Sequence, residues 1–435
     1  MKHQSYGEFS LRIQEQLFAH RIPLHAAIEV TRRCPLECAH CYNNLPMGDQ
    51  EARHSELTYE EHCRFLDEIT EAGCLWLLYT GGEIFARKDF LDIYTYAKQK
   101  GLLIGLFTNG TLITPKIADY LVDWRPFSIE ITLYGRTRET YEQLTCIPGS
   151  YDRCMRGIRL LMERGLPLAL KTVGVTINKH EIWDMKRFAE EELGLAFKFD
   201  SMINPRIDCS QSPLAVRLLP EEIVELDLQD PKRAGEWKQL YANSSRPMLP
   251  PQRNEEVYHC GGGTNSFAID PLGQMSICVL SHMDTYNWRT GSFREGWEQS
   301  LYKVRQKKVT RVTKCAACGI KTMCNMCPAT GELEYGDPEE PVDYFCHVAH
   351  LRAHALDLSI PPHGDCAYCE GGTGYGELVR SAETLKAGKM PFTETARSTS
   401  RPLPMVSAGA AVSTGGCSSG GCTSCGLAAA HGRAG

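Results

Sequence analysis

The stretch "AAIEVTRRCPLECAHCY" (residues 26–42) joins a short apolar segment to three closely spaced cysteines. The segment "AAIEV" (26–30) predicts a β-strand, and Cys34, Cys38 and Cys41 follow it with the spacing C-x3-C-x2-C. A closed zinc site and a cubane iron–sulfur cluster each usually take four protein ligands. Three cysteines therefore leave one position open to another molecule. Parallel α/β folds place their chemistry at this end of a strand.

Strand-like and helix-like segments alternate from about residue 26 to residue 230. This alternation predicts an α/β fold in which parallel strands are covered by helices. Six strands fit a partial (β/α)6 barrel better than a full eight-fold barrel. Thr58 and Glu61 form a possible capping box for the first long helix, and Gly73 is its expected C-cap. The predicted strands are 26–30, 75–80, 102–110, 127–135, 168–177 and 196–204, and the helices are 57–73, 90–101, 114–122 and 150–165.

The remaining segments differ from the barrel in composition. Residues 231–259 are polar and contain proline, as a linker does, and a segment rich in cysteine follows, with a helix predicted over 346–358. The last part is rich in Cys, Gly, Ser and Ala, and we expect most of it to be flexible. The predicted organisation is 1–25 an N-terminal lead, 26–230 the barrel, 231–259 a linker, 260–360 a small cysteine-rich domain, and 361–435 a low-complexity tail.

Composition and charge exclude several classes of protein. The chain of 435 residues has a formal net charge of −6, so no global basic field attracts nucleic acid. No window approaches about 18 apolar residues, and the first 20 residues lack the apolar core of a signal peptide. We therefore expect a cytoplasmic protein without a membrane span. In such a protein, 20 cysteines are more often metal ligands or catalytic thiols than disulfides.

The three cysteines at 34, 38 and 41, followed by the aromatic Tyr42, resemble the signature of the radical S-adenosylmethionine (SAM) superfamily. This resemblance implies that the three thiolates hold a [4Fe–4S] cluster and that the amino and carboxylate groups of SAM chelate its fourth iron. One electron then cleaves the cofactor and releases a 5′-deoxyadenosyl radical. The protein positions this chemistry and excludes competing reactions.

Three later strand ends carry further matches to this family. "TGGE" (80–83) resembles its Gly-Gly-Glu motif, in which the glycines let the backbone approach the ligand and Glu83 accepts from the ammonium group of SAM. "TNG" (108–110) and "ITLYG" (131–135) end the next two strands. A plain turn is the alternative for TGGE alone. The residues that the resemblance places at the cofactor are Tyr42, Gly81, Gly82, Glu83, Asn109 and Thr132.

The second cysteine set resembles the SPASM domain, an extension of radical SAM enzymes that holds two auxiliary iron–sulfur clusters. Its four most closely spaced members follow the pattern C-x2-C-x5-C-x2-C, whereas the last gap in the family is usually three residues. A zinc-ribbon-like site is the alternative for the whole set. The resemblance assigns one cluster to Cys315, Cys318, Cys324 and Cys346, and the other to Cys260, Cys278 and Cys327.

The second of these auxiliary sites is one cysteine short. Either its cluster has an open iron, which would bind a substrate group, or Cys366 or Cys369 completes it. Three more cysteines, Cys417, Cys422 and Cys425, lie in the glycine-serine tail. For these we weigh a flexible tail, an extra metal site and a segment that visits the active site.

The resemblance predicts an enzyme that abstracts hydrogen from a ribosomally made peptide, with cross-linking, thioether formation or epimerisation as outcomes. Alternatives are a maturase of a sulfatase or of a peptide-derived redox cofactor, and a non-catalytic redox sensor or scaffold. Expected partners are the peptide, a flavodoxin- or ferredoxin-like reductant, and a separate leader-peptide-binding protein unless the enzyme's own surface serves. No motif identifies an acid or base: Glu130 and Asp200 are each as well explained as structural carboxylates.

Overall fold

The computed structural model describes residues 20–243, 256–282 and 284–388. The described residues contain eleven β-strands. In chain order they are β1 (His25–Glu29), β2 (Arg33–Cys34), β3 (Leu45–Pro46), β4 (Trp76–Thr80), β5 (Leu103–Thr108), β6 (Ser128–Thr132), β7 (Leu168–Val173), β8 (Ala196–Asp200), β9 (Ser266–Ile269), β10 (Gln274–Ser276) and β11 (Tyr286–Asn287).

The helices occupy the segments between these strands and most of the C-terminal half. They are α1 (Gln50–Ser55), α2 (Tyr59–Glu71), α3 (Phe90–Gln99), α4 (Pro115–Asp123), α5 (Arg138–Thr145), α6 (Ser150–Glu163), α7 (Ile182–Arg187), α8 (Pro220–Gln229), α9 (Pro231–Asn243), α10 (Phe293–Glu295), α11 (Tyr302–Gln306), α12 (Pro328–Tyr335), α13 (Asp343–Ala355) and α14 (Tyr375–Lys386). Short 3-10 turns cover Ile84–Ala86, Lys179–Glu181, Ser212–Val216, Trp288–Thr290 and Lys321–Met323, and π-helical turns cover Phe188–Glu192 and Gly296–Leu301.

One nine-stranded sheet has the order β8-β7-β6-β5-β4-β1-β9-β10-β11. The six strands from β8 to β1 are parallel neighbours, which confirms the predicted α/β fold with six parallel strands. Strand β9, from the cysteine-rich region, pairs in parallel with β1, and β10 and β11 continue the sheet in antiparallel pairing. The barrel sheet therefore continues directly into the cysteine-rich part of the chain.

Strand residues alternate between two faces of this sheet. Ile104 and Leu106 of β5, with Ile129 and Ile131 of β6, are fully buried in the main apolar core beneath the surrounding helices. The residues between them point to the opposite face, as the period of two in a strand requires. That second face carries polar and charged side chains and is the one available to a ligand.

Helix α2 begins where the sequence predicts and ends close to the predicted residue. The Thr58 side chain accepts from the Glu61 backbone N–H at 3.2 Å, and the Glu61 carboxylate accepts from the Thr58 N–H at 2.7 Å. Gly73 follows the helix with φ of 98°, a left-handed conformation that glycine adopts without steric cost. The predicted capping box is confirmed, whereas the C-cap residue is Ala72 and the predicted glycine lies one position beyond it.

Two of the predicted segments differ from the structure over part of their length. Residues 231–243, predicted as linker, form helix α9. Residues 361–388, predicted as part of a flexible tail, pack on the protein: Leu378, Ala382 and Leu385 of α14 are buried. These three lie on one helical face, a local pattern that the composition of the tail as a whole conceals. The cysteines at 417, 422 and 425 lie outside the described residues.

Within the described ranges, no helix is long and apolar enough to cross a membrane.

Candidate active site and cysteine groups

The three-cysteine loop begins directly after β1. Cys34 is buried on the short strand β2, whereas Cys38 and Cys41 are half-buried in the following loop. Burial raises the pKa of each thiol, and the neighbouring thiol of Cys41 raises the pKa of Cys34 and Cys38 further. The loop thus brings the three sulfur atoms together, as three ligands of one cluster require.

Backbone amides of the same loop point at two of these sulfur atoms. The N–H of Leu36 faces Cys34, and the N–H groups of Asn43 and Asn44 face Cys41. These contacts lower the pKa of the two thiols, whereas burial raises it. Hydrogen bonds to a sulfur favour its thiolate form. Because the thiolate is the metal-binding form of cysteine, this arrangement fits an iron–sulfur cluster.

A buried ionic group holds the base of the loop. Arg33 donates from Nε and Nη2 to the carboxylate of Glu56 at 2.8 and 2.9 Å, and the Thr31 hydroxyl donates to the same carboxylate. A second guanidinium, that of Arg87, lies 3.8 Å from Glu56 and donates to the Leu57 carbonyl at 2.8 Å. The residues just before Cys34 are therefore fixed to the segment between α1 and α2.

The two glycines of TGGE lie against the backbone of this loop. The Gly82 N–H donates to the Thr31 carbonyl at 2.7 Å. A Cβ on Gly82 would lie 2.5 Å from the carbonyl oxygens of Arg32 and Arg33, and one on Gly81 would lie 2.2 Å from that of Thr31. The structure thus adds a reason for glycine that the sequence does not reveal: the end of β4 contacts the cysteine loop itself.

Glu83 is fully buried at the end of β4. Its carboxylate accepts from the Asn109 backbone N–H at 2.8 Å and from the Thr108 hydroxyl at 2.7 Å. Burial raises the pKa of this carboxyl to about 7, although these two hydrogen bonds and a third from the Phe85 N–H act in the opposite direction. Among the residues that the structure describes, no lysine or arginine pairs with Glu83. A buried carboxylate without a cation fits the ammonium group of a ligand such as SAM.

Asn109 connects the end of β5 to the first cysteine. Its side-chain Nδ2 lies 3.5 Å from the Cys34 sulfur, and its Oδ1 accepts from the Thr111 backbone N–H at 2.9 Å. Cys34, Glu83 and Asn109, which are up to 75 residues apart in sequence, therefore meet at one edge of the sheet. This is the edge at which the carboxyl ends of the parallel strands lie.

The other two predicted cofactor residues lie at the same edge. The Tyr42 hydroxyl donates to the buried carboxylate of Glu29 at 2.9 Å, and the Asn43 amide donates to it at 2.7 Å. Thr132 is the half-buried last residue of β6, opposite Lys171 of β7. Tyr42 is thus fixed to β1 next to Cys41, and Thr132, on β6, lies three strands away from β1 in the sheet.

A charged group occupies the ligand-facing side of the sheet. The Glu130 carboxylate accepts from Lys198 at 2.7 Å and lies 3.2 Å from the ammonium of Lys171, which sits over the Phe107 ring. Burial lowers the pKa of Lys171 to about 8. Although burial raises the pKa of Glu130, the hydrogen bond from Lys198 and the charge of Lys171 leave it below its usual value. Asp200, by contrast, is exposed and accepts from the Met202 N–H.

The later cysteines lie close to one another in two parts of the cysteine-rich region. Burial raises the pKa of Cys278 and Cys327, and the neighbouring thiol of Cys260 raises both further. Burial likewise raises the pKa of Cys318, Cys324 and Cys346, and the neighbouring thiol of Cys315 acts in the same direction, as does that of Cys366 on Cys318 and Cys346. Backbone N–H groups two residues further along face several of these sulfurs, as at Cys34. A cavity of about 340 Å³ is lined by the four cysteines of the second group. Four thiolates are the usual ligand set of a cubane iron–sulfur cluster.

Cys366 and Cys369 lie with two histidines that the sequence reasoning did not consider. His350, His363, Cys366 and Cys369 are all buried, and their donor atoms lie within 4.8 Å of one another. The structure therefore does not bring either cysteine to Cys260 as a fourth thiol. The spacing H-x2-C-x2-C in "HGDCAYC" (363–369) is a signal that could have found three of the four.

Comparison with known proteins places these features in a family. The family model described as the radical SAM superfamily matches residues 28–189. The PqqA peptide cyclase of Rhodopseudomonas palustris is 30% identical over 345 residues, which cover 73% of this chain and 86% of that protein. The AdoMet-dependent heme synthase of Methanosarcina barkeri is 27% identical over 344 residues, which cover 73% of this chain and 95% of that protein.

Solved structures show the same fold. SuiB of Streptococcus suis bound to S-adenosylmethionine aligns with a TM-score of 0.56 at 16% identity, over 78% of this chain and 82% of that one. SuiB bound to its precursor peptide SuiA aligns with a TM-score of 0.55 over 78% of this chain and 80% of that one. At this identity the likeness concerns the fold.

Proposed function

The chain belongs to the radical SAM superfamily, and we propose that it is a peptide-modifying enzyme of this family. In this proposal it abstracts hydrogen from a ribosomally made peptide. The family consists of enzymes that bind a [4Fe–4S] cluster and SAM, so the interpretation as a non-catalytic sensor is set aside. The main support for a peptide substrate is the 30% identity to a peptide cyclase over 73% of this chain. This similarity extends well beyond the segment 28–189 that the family model matches.

The cysteine loop and the two following strand ends supply the residues for this activity. Cys34, Cys38 and Cys41 are the proposed cluster ligands, and Glu83 is the proposed acceptor for the ammonium group of SAM. When bound, the cluster and SAM supply a carbon radical that removes a hydrogen atom from the substrate. Asn109, 3.5 Å from the Cys34 sulfur, fixes that ligand, and its backbone N–H holds the Glu83 carboxylate in place.

The two later cysteine groups are the proposed sites of auxiliary clusters. We assign one cluster to the four thiols lining the 340 Å³ cavity, which complete a cubane without other ligands. We assign the other to Cys260, Cys278 and Cys327. Because Cys366 and Cys369 lie with histidines instead, the second cluster keeps an open iron in this proposal, where a thiolate or amide of the peptide would bind.

The polar face formed by Glu130, Lys171 and Lys198 is the proposed boundary of the substrate space. Side chains of three neighbouring strands form ion pairs there, so the face is charged but ordered. A flavodoxin- or ferredoxin-like protein is the proposed reductant. Peptide recognition by a related fold is described for SuiB, whose structure with its precursor peptide SuiA is known.

A tetrapyrrole is the second candidate substrate. The heme synthase of Methanosarcina barkeri is matched over 95% of its length, more completely than the peptide cyclase. This alternative shares the same cluster and SAM sites and differs only in the molecule from which hydrogen is taken.

Hydrogen transfer from a labelled substrate tests the proposal. The enzyme is reconstituted anaerobically with iron and sulfide, then incubated with dithionite, SAM and a deuterated peptide encoded beside its own gene. Deuterium in 5′-deoxyadenosine, measured by mass spectrometry, is the expected result. Deuterium from an iron porphyrin but not from the peptide would favour the second candidate. Formation of no 5′-deoxyadenosine would reject both. The variant Cys38→Ala is the control for background cleavage.

A further inference from the structure

We infer that His350, His363, Cys366 and Cys369 form a structural site for one zinc ion, distinct from the iron–sulfur clusters. The four side chains come from α13 and from the segment that leads into α14. Each is at most 5% exposed. This inference rests on the four side chains alone and does not depend on the proposed substrate.

The distances between the donor atoms match a tetrahedral ion. The His350 Nε2 lies 3.5 Å from the Cys366 sulfur and 3.6 Å from the Cys369 sulfur, and the His363 Nδ1 lies 3.4 Å from the Cys369 sulfur. Zinc bonds of about 2.3 Å to sulfur and about 2.05 Å to nitrogen, at tetrahedral angles, place such atoms about 3.6 Å apart. The two His350 pairs therefore have the separation that a common central ion would impose, and the two ring nitrogens of His363, at 3.4 and 4.0 Å from the Cys369 sulfur, lie on either side of it.

The hydrogen bonds of the two histidines leave nitrogen lone pairs free to face the ion. The Nδ1–H of His350 donates to the Cys346 carbonyl at 2.7 Å, so Nε2 is the ligand atom. His363 lies with Nδ1 at 3.4 Å and Nε2 at 4.0 Å from the Cys369 sulfur. With Nε2 as the ligand, its Nδ1–H would donate to the Pro361 carbonyl, which is 3.1 Å away. Such outer contacts are typical of metal-binding histidines.

A tight turn presents the two cysteines on the same side. The Cys369 N–H donates to the Cys366 carbonyl at 3.3 Å, and the Gly372 N–H donates to the Cys369 carbonyl at 2.8 Å. A Cβ on Gly372 would lie 2.5 Å from the Cys366 carbonyl oxygen, so the turn accepts only glycine there. The backbone is thus arranged to bring two sulfurs to one point.

One ion fits this site better than a cluster does. In a two-iron cluster with mixed ligands, the histidines bind one iron and the cysteines bind the other. Here each cysteine lies within 3.6 Å of a histidine nitrogen, so the four donors converge on one position. Two thiolates and two imidazoles form a common structural zinc site. The rival interpretation is that Cys366, whose thiol raises the pKa of Cys346 and Cys318 after burial, is a ligand of the neighbouring cluster.

The site would hold the segment 363–388 against the helix that carries an auxiliary-cluster cysteine. His350 lies four residues after Cys346 on α13 and donates to its carbonyl. Helix α14, which follows the cysteine turn, packs Leu378 and Ala382 against Leu351 of α13. A zinc ion would therefore hold the turn on α13 and fix the helix that carries Cys346.

Metal analysis of the full chain tests the inference. The protein is expressed with added zinc, purified anaerobically and reconstituted with iron and sulfide only. We expect about one zinc per chain, and X-ray absorption at the zinc edge should show two sulfur and two nitrogen neighbours at about 2.3 and 2.05 Å. Zinc below about 0.2 per chain, or a shell of sulfur alone, overturns the inference.

Paired variants locate the ion. Cys369→Ser should lower the zinc content at least five-fold and leave iron unchanged, whereas Cys63→Ser on α2 should change neither. On α13, His350→Ala should lose zinc and His354→Ala should retain it. A Cys366→Ser variant that keeps zinc and loses about four irons assigns Cys366 to the cluster and overturns the inference. If a variant fails to fold, the zinc-edge X-ray absorption spectrum of the unaltered protein decides whether two sulfur and two nitrogen atoms bind the ion.

Discussion

The backbone N–H of Asn109 donates a 2.8 Å hydrogen bond to the buried carboxylate of Glu83. This contact joins the ends of β5 and β4, and the Asn109 side chain continues it to the Cys34 sulfur. The proposed SAM-binding carboxylate and a proposed cluster ligand are therefore positioned by the same residue. A substitution at Glu83 should therefore alter the surroundings of Cys34, and a substitution at Cys34 should alter those of Glu83.

Replacing the carboxylate tests its role in SAM binding. Glu83→Gln removes the negative charge but preserves the shape of the side chain. We expect SAM to bind roughly ten- to a hundred-fold more weakly, since a hydrogen bond to a charged group contributes about 1.5–3 kcal/mol. Isothermal titration of the reconstituted enzyme measures this. Glu37→Gln, an exposed carboxylate in the cysteine loop, is the control. Equal affinity in all three proteins would contradict the assignment.

The close approach at Gly82 predicts a strong effect of a single methyl group. Gly82→Ala would place a Cβ 2.5 Å from the Arg32 and Arg33 carbonyl oxygens, so the cysteine loop must move. Overpacking of this kind costs about 1–3 kcal/mol of unfolding free energy. We expect a lower thermal midpoint and loss of about four irons per chain from the first cluster. A Cβ on Gly48 has nothing within 4 Å, so Gly48→Ala should retain both properties.

The two auxiliary groups predict additive losses of iron. Cys315→Ser and Cys327→Ser should each lower the iron content by about four atoms from a total of about twelve, because each belongs to a different group. The double variant should lose about eight. Iron and sulfide analysis of anaerobically reconstituted protein measures this. A double variant that loses no more than either single one would place both cysteines at a single cluster.

A buried ion pair joins α8 to α13. Arg352 donates to Asp227 at 2.7 Å, and both side chains are at most 2% exposed. Arg352→Met leaves Arg233 paired with the buried Asp227 carboxylate but removes one charged hydrogen bond, and should lower the free energy of unfolding by about 1.5–3 kcal/mol, measured by urea denaturation. Arg294→Met removes an exposed pair with Glu298 and should change it by less than about 1 kcal/mol. Similar effects at the two sites would contradict this reasoning.

The lowered pKa of Lys171 predicts how stability depends on pH. Burial lowers it from 10.5 to about 8, so the unfolded chain binds this proton more tightly than the folded one. Between these two pKa values the stability of the unaltered protein, relative to Lys171→Met, should rise with pH by about 3 kcal/mol. Below pH 8 the Lys171 ammonium is charged in both the folded and the unfolded chain, so the cost of burying it lowers the free energy of unfolding by its full amount. Denaturation of the apoprotein measures this; an exposed-site variant, Lys116→Met, should show no such trend.

Much of the fold and the first site followed from local sequence patterns. The apolar strands, the capping box at Thr58 and the C-x3-C-x2-C spacing each depend on residues close together in the chain, and each agrees with the structure. The helices at 231–243 and 375–386 are not evident from the sequence, because their short apolar faces lie within segments of polar or low-complexity composition.

The sequence by itself determined the six-stranded α/β core, because alternating periods of hydrophobic residues set the strand and helix order. It also identified which cysteines belong to the first loop. Only the tertiary structure decided what lies opposite each motif: that the glycines at 81 and 82 contact the cysteine loop, and that Cys366 and Cys369 meet His350. The physical reason is that such contacts join strands and helices far apart in sequence, where packing, and not local preference, chooses the partner.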